Sequence, residues 1–206
     1  MGESELIETM PGANTAPPVL LLQGTGGTNQ EMLNFGRRLA PQSPLITIAG
    51  RQGVGSQRQY FRQTASTPAD PQQLETEARW LAEQVTAICR DHRWDCDHLI
   101  TVGYSNGAAM AAYGLQTGCL PGATALLFHP LWVPVAQPQD RQHRQVWLSA
   151  GRHDPLVSVA TVQRVADACA ATGMQTTVTV TGGTHHMTPG EVLQAYQWLA
   201  PRLTTD

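Results

Sequence analysis

The chain has 206 residues, 41% of them hydrophobic, enough for one sizeable core and short for two. Its 13 basic and 16 acidic side chains give a net charge of −3 with no lysine/arginine cluster, which speaks against nucleic acid or an anionic membrane surface as partner. No apolar run reaches membrane-spanning length, and the four cysteines (Cys89, Cys96, Cys119, Cys169) form no CxxC pair and keep no ligand spacing to histidine, the usage of free thiols in a reducing compartment. A cytoplasmic protein without membrane insertion is expected.

Residues 1–16 are polar, acidic and proline-bearing, with neither a basic n-region nor an apolar h-region, and read as a flexible lead-in to a single domain over residues 17–206. Residues 17–23 (PPVLLLQ) are a short continuous apolar run, the mark of a strand buried on both faces. The glycine loop GTGGT at 24–28 can turn sharply and present free N–H groups, and residues 30–39 read as a helix with Met32, Leu33, Phe35, Gly36 and Leu39 on its inner side. A phosphate cradle is the rival reading of that loop, but it lacks the GxxxxGK[ST] pattern and any lysine. Residues 44–49 (PLITIA) are a second strand. The long polar segment 50–70 holds Arg51, Arg58, Tyr60, Phe61 and Arg62; it is either a substrate-lining loop or a surface loop with Tyr60 and Phe61 packed down.

Apolar residues at 74, 78, 81, 85 and 88 recur at spacings of four and three, so residues 74–92 form a helix with one buried face. Residues 98–102 lead as a strand into Gly103-Tyr104-Ser105-Asn106-Gly107, and a small-residue helix follows over 109–115. An apolar strand running through GxSxG into a helix is a nucleophile elbow: it exposes a serine on a tight turn, where a base can reach it and helix N–H groups can meet a developing oxyanion. Strands follow at 123–128 and 145–150, a helix at 158–172, a β-branched strand at 176–180, a turn at 181–186 and a closing helix at 189–199 that begins on proline. This alternation of buried strands with helices predicts an α/β, doubly wound, mostly parallel sheet with helices on both faces.

Ligands on such sheets sit at the carboxyl ends of the strands. Three features fall there: Ser105, then Asp154 in GRHDP at 151–155, then the pair His185-His186. Ser, Asp, His is the chain order of a serine hydrolase built on this sheet type. His185 would take the Ser105 proton and pass it to the leaving group, Asp154 would fix the imidazole and stabilise its charged form, and the N–H groups of Thr25 and Asn106 would form the oxyanion hole. Asp154 before a proline also suits a simple turn. Histidine pairs bind zinc as well, but no HExxH or carboxylate at ligand spacing accompanies this one, so no metal is expected. Trp132, Trp147 and Trp198 suit a core or a groove wall. His92, His98, His129, His143 and His153 suit solvated or internally satisfied positions, with a place facing the pocket as the alternative for His129 at its strand end.

QGTGGT at 23–28, RQYFRQ at 58–63, GYSNGA at 103–108, HPLWVP at 129–134, GRHDPLV at 151–157 and HHMT at 185–188 stand in an order that resembles one family, the phospholipase/carboxylesterase group of small α/β-hydrolases, which includes bacterial esterases and the acyl-protein thioesterases. The resemblance implies an α/β-hydrolase fold with no large lid domain, no cofactor, and Ser105, Asp154 and a histidine as triad. The family usually shows Gly-Gly-His-x-Leu-Thr; matching His-x-[Leu/Met]-Thr assigns the base to His185, while Thr184, inserted after Gly182-Gly183, makes His186 the alternative base. Gln23 stands where the family usually has histidine. By the same resemblance Arg58, Tyr60, Phe61, His129, Leu131 and Trp132 would lie near the acyl or alcohol pocket. The activity so implied is hydrolysis of small-molecule esters with short to medium acyl chains through an acyl-Ser105 intermediate, with a homodimer left open. The alternatives are a thioesterase or lysophospholipase acting on a longer chain, and a slow or non-catalytic ligand-binding relative. Dienelactone-type hydrolases use cysteine as nucleophile, and residue 105 is serine.

Overall fold

The computed structural model describes residues 6–13, 15–64, 67–135, 138–140 and 142–203. Among these residues seven strands make one sheet: β1 (Ile7–Met10), β2 (Val19–Leu22), β3 (Leu45–Ile48), β4 (Ile100–Tyr104), β5 (Thr124–Phe128), β6 (Gln145–Gly151) and β7 (Gln175–Thr181). Among the described residues five α-helices accompany them: α1 (Asn29–Leu39), α2 (Pro71–His92), α3 (Asn106–Thr117), α4 (Val159–Ala171) and α5 (Pro189–Leu199). The spatial order is β1-β3-β2-β4-β5-β6-β7, with β1 antiparallel to β3 and every other pair parallel.

β2 and β3 are buried along their whole length, and β5 beyond its first residue, because both faces are covered, which is why they read as mostly apolar runs. Side chains alternate between the faces. Leu20, Leu22, Ile46, Ile48, Leu127 and Leu148 pack with α2, α3 and α4, whereas Val19, Leu21, Leu45, Val102, Phe128 and Trp147 pack with α1 and α5. The chain runs outward from β2 to β3 and then crosses back to β4 on the other side of β2. The loops leaving β2 and β4 therefore diverge at the carboxyl end of the sheet, and the crevice between them is where such folds place their ligands. Among the described residues no insertion builds a separate lid, and no helix is long and apolar enough to cross a membrane.

One expectation is corrected at the amino end. Residues 7–10, assigned to a flexible lead-in, form β1 against β3, and Leu6 anchors them by accepting bonds from the Ala49 N–H (2.7 Å) and from Asn29 Nδ2 (3.1 Å). As an edge strand it needs only one buried side, so its sequence IETM carries exposed Glu8 and Thr9 and lacks the apolar continuity of its neighbours. Residues 1–5 and 14 of that lead-in, and 204–206 at the other end, lie outside the described residues.

Candidate active site

β4 ends at Tyr104 and α3 begins at Asn106, so a single residue, Ser105, makes the turn. Its backbone has φ 51 and ψ −111, a conformation L-residues rarely adopt, held by Ser105 N–H donating to Phe128 O (2.8 Å) and Ser105 O accepting from Ala109 N–H (3.0 Å). The flanking glycines are sterically required. A Cβ on Gly103 would come within 2.6 Å of Ala108 Cα, and one on Gly107 within 2.4 Å of Gln23 O. The elbow thus packs directly under the loop that leaves β2.

Ser105 Oγ lies 3.0 Å from His185 Nε2, and His185 Nδ1 lies 2.7 Å from Asp154 Oδ2. The loops carrying the last two residues are stitched together: Arg152 N–H donates to Thr181 O (2.9 Å) and His153 N–H to Gly183 O (3.0 Å), and His153 Nδ1 sits 3.0 Å from Gly182 O. Tyr104 Oη donates to His185 O (2.9 Å), holding the backbone that carries the imidazole. Burial, helped by the charges of Asp154 and Glu191, pushes the Tyr104 hydroxyl up to about 12, so it stays a donor at neutral pH. His186, the alternative base, is exposed, and the contact to Ser105 is made by His185.

The Asp154 side chain is fully buried. Its Oδ1 accepts from the N–H groups of Leu156 (2.8 Å) and Val157 (2.9 Å), and its Oδ2 faces His185. Burial would raise this carboxyl, but the Val157 N–H, His185 and the Leu156 N–H outweigh it and hold it below the ordinary carboxylate range. A charged Asp154 is therefore the resting state.

The oxyanion donors assigned from the sequence flank the serine. Asn106 opens α3, where an N–H has no partner within the helix. Thr25 lines the pocket beside Ser105, in a turn whose neighbouring amides are consumed by Gly26 N–H to Arg58 O (2.8 Å) and Gly27 N–H to Gly24 O (3.1 Å). The Asn106 side chain does different work. Its Oδ1 accepts from Tyr60 N–H (2.7 Å) and its Nδ2 donates to Phe61 O (3.1 Å), tying the 50–70 loop to the elbow.

A pocket of about 510 Å³ opens over Ser105, walled by Leu131, Leu156, Gln63, Thr64 and Tyr104. Of the six residues placed near it by resemblance, only Leu131 lines it. Tyr60 is a core residue: its hydroxyl donates to Ile48 O (2.6 Å) and accepts from Gln23 N–H (3.1 Å), and burial drives its pKa far up. Phe61 is wholly buried. Arg58 props the glycine loop through its carbonyl and donates from Nη1 to Gly50 O (3.1 Å). Trp132 is covered by the Arg164 guanidinium, 3.8 Å from its ring, and receives Gln63 Nε2 on its carbonyl (3.3 Å). His129 is wholly buried on the far side of Asp154. Sequence reading overlooked Gln63 and Thr64, although Gln63 ends the RQYFRQ stretch, and it overlooked Leu156 directly after Asp154-Pro155.

His129, Asp154 and His185 bring one nitrogen or oxygen each within 4.8 Å, a grouping that could in principle hold a metal. Both Nδ1 atoms instead converge on one carboxylate oxygen at 2.7 and 3.0 Å, the geometry of imidazole N–H donors, and a cation would have to displace both protons.

The fold and site define a hydrolase of the α/β-hydrolase class. No family model matches the chain. It is 29% identical over 184 residues to MhqD of Bacillus subtilis, a protein named as a hydrolase, across 87% of this chain and 90% of that one. Among solved structures, a carboxylesterase of Bacillus cereus superposes with a TM-score of 0.88 at 26% identity, covering 95% of this chain and 93% of its own. YahD, solved with malic acid, superposes with a TM-score of 0.85 at 26% identity, covering 95% and 98%. The neighbours also include a phospholipase/carboxylesterase of Dyadobacter fermentans, whose 17% identity speaks for the fold alone. The expected likeness to carboxylesterases of this group is thus found.

Proposed function

We propose that this protein is a serine carboxylesterase that hydrolyses short to medium acyl esters through an acyl-Ser105 intermediate. The observation that carries the reading is the unbroken chain from Ser105 Oγ to His185 Nε2 (3.0 Å) and from His185 Nδ1 to Asp154 Oδ2 (2.7 Å). His185 Nε2 takes the hydroxyl proton as Oγ adds to the ester carbonyl, and the resulting oxyanion faces the Thr25 and Asn106 N–H groups. The tetrahedral intermediate collapses as the C–O bond to the alcohol breaks and His185 returns the proton to the departing oxygen. Water then repeats the sequence on the acyl-enzyme, releasing the acid and restoring Ser105. Asp154, anionic throughout, compensates the transient imidazolium.

An open pocket with apolar walls at Leu131 and Leu156, and with no covering lid among the described residues, favours small soluble esters. The four free thiols favour a cytoplasmic setting. The test is a panel of p-nitrophenyl esters from acetate to palmitate. Turnover highest on acetate through octanoate supports the proposal; absence of turnover on every ester, or turnover confined to palmitate, contradicts it.

A further inference from the structure

Asp154 has two histidines on the same oxygen. Oδ2 lies 2.7 Å from His185 Nδ1 and 3.0 Å from Nδ1 of His129, whose other nitrogen, Nε2, stands 3.0 Å from Oε1 of Glu191. The side chains of His129, Asp154 and Glu191 are all 0% exposed. The Nε2 to Oε1 contact is at ion-pair distance without the alignment of a good hydrogen bond. His129 follows β5 with a left-handed φ of 48, and its N–H donates to Ser149 O (3.1 Å). The remaining groups around the His129 ring are His185 and Tyr104, with ring centroids at 5.3 and 6.2 Å, and Ser149 lies beside the Glu191 carboxylate.

Helix capping does not account for Glu191. It is the N3 residue of the α5 capping box, with Oε2 accepting from Thr188 N–H (3.2 Å), but that leaves Oε1 free to face His129. The equivalent capping-box residue of α1, Glu31, gives Oε2 to both the N–H and the hydroxyl of Thr28 (2.9 and 3.0 Å) and stays exposed. A cap needs no buried carboxylate.

We propose that His129 is a buried imidazolium held between Glu191 and Asp154, and that this pair sets the charge that His185 faces, making His129 and Glu191 positioning residues for the base. The proposal rests on the catalytic reading of Ser105, His185 and Asp154 given above. A neutral imidazole carries one N–H and one lone pair, so between two carboxylates at 3.0 Å it would set its lone pair against an anionic oxygen on one side. Protonating both nitrogens removes that repulsion. Burial alone would lower the His129 pKa, but Glu191 and Asp154 outweigh it and raise it; on Glu191, where burial would raise the pKa, contacts with His129 and Ser149 outweigh it and lower the value. One cation between two anions leaves a single net negative charge behind His185. Without Glu191 that charge is cancelled wherever His129, still against Asp154, keeps its proton, as it does over the acid limb below the ordinary imidazole value, and without His129 the charge doubles.

The test uses the full-length protein with Glu191→Gln, His129→Gln and the double variant. Glutamine preserves the capping box. The readouts are the acid limb of the pH profile of kcat/KM on p-nitrophenyl acetate and the His185 ring titration in histidine ¹⁵N spectra, which needs no turnover. With the rings this close, Glu191→Gln is expected to move the limb down by about one pH unit and His129→Gln to move it up by about as much. The double variant, with its single net charge restored, should return near the wild-type limb. The wild-type spectrum at pH 7 should show both His129 nitrogens protonated, a resonance pair missing in His129→Gln. A neutral His129 tautomer overturns the proposal even if every variant fails to fold, as do folded single variants whose limbs stay put or move the same way. Loss of all ester turnover in the wild type with a charged His129 and the predicted His185 shifts would overturn the esterase reading and leave the charge arrangement standing.

Discussion

His185 Nε2 lies 3.0 Å from Ser105 Oγ although 80 residues of chain separate them, and its neighbour His186 points into solvent. That difference makes the two histidines separable by mutation. His185→Ala is expected to lower kcat/KM by about 10⁴-fold or more, as loss of a triad base does, whereas His186→Ala should stay within about threefold of wild type. Steady-state kinetics on one short ester decides it; the reverse ranking would move the base to residue 186.

Tyr60 tests the reassignment of the 50–70 loop. Tyr60→Phe removes the hydroxyl that bridges Ile48 O and Gln23 N–H and leaves a buried amide without its partner. A loss of about 1–3 kcal/mol in urea unfolding is expected, with kcat/KM changed only a few fold. Unchanged stability with a sharply raised KM would return Tyr60 to the pocket wall.

The buried cluster behind the base also fixes how stability depends on pH. Asp154 and Glu191 are held below their ordinary range, so they contribute stability above the unfolded value of about 4, and it is lost as pH falls through their folded values. His129 is raised, so it contributes stability that is complete below about 6.5 and is lost as pH rises through its folded value. Thermal midpoints should therefore peak between the two limbs, and Glu191→Gln should flatten both. A wild-type midpoint still rising above neutral pH would contradict this assignment.

Of the six residues that the resemblance implies near the pocket, Leu131 lines the cavity over Ser105, and its bulk should tune acyl length. Leu131→Phe is expected to lower kcat/KM for octanoate by about tenfold while sparing acetate, read from the same ester panel. An equal loss on both esters would mean that Leu131 does not meet the acyl chain.

What the sequence made legible follows the physics of each element. Parallel strands buried on both faces are dominated by apolar residues, so β2, β3 and β5 stand out, and the elbow stands out because Gly103 and Gly107 have no steric alternative. β1 stays hidden because an edge strand can afford Glu8 and Thr9. The roles of Tyr60 and Asn106 depend on partners 12 to 46 residues away, which no local pattern encodes. Glu191 hides for another reason: T-P-G-E reads as an ordinary capping box, and only the fold brings its second oxygen to His129.

The central claim is that Ser105 is the nucleophile. Its most direct test is the intact mass of the wild-type protein and of Ser105→Ala after incubation with a fluorophosphonate, with the adduct located by peptide mapping. One adduct per wild-type chain on Ser105, none on the variant, and an unchanged melting temperature are predicted. No adduct on the wild type, or an equal adduct on Ser105→Ala, would contradict the account.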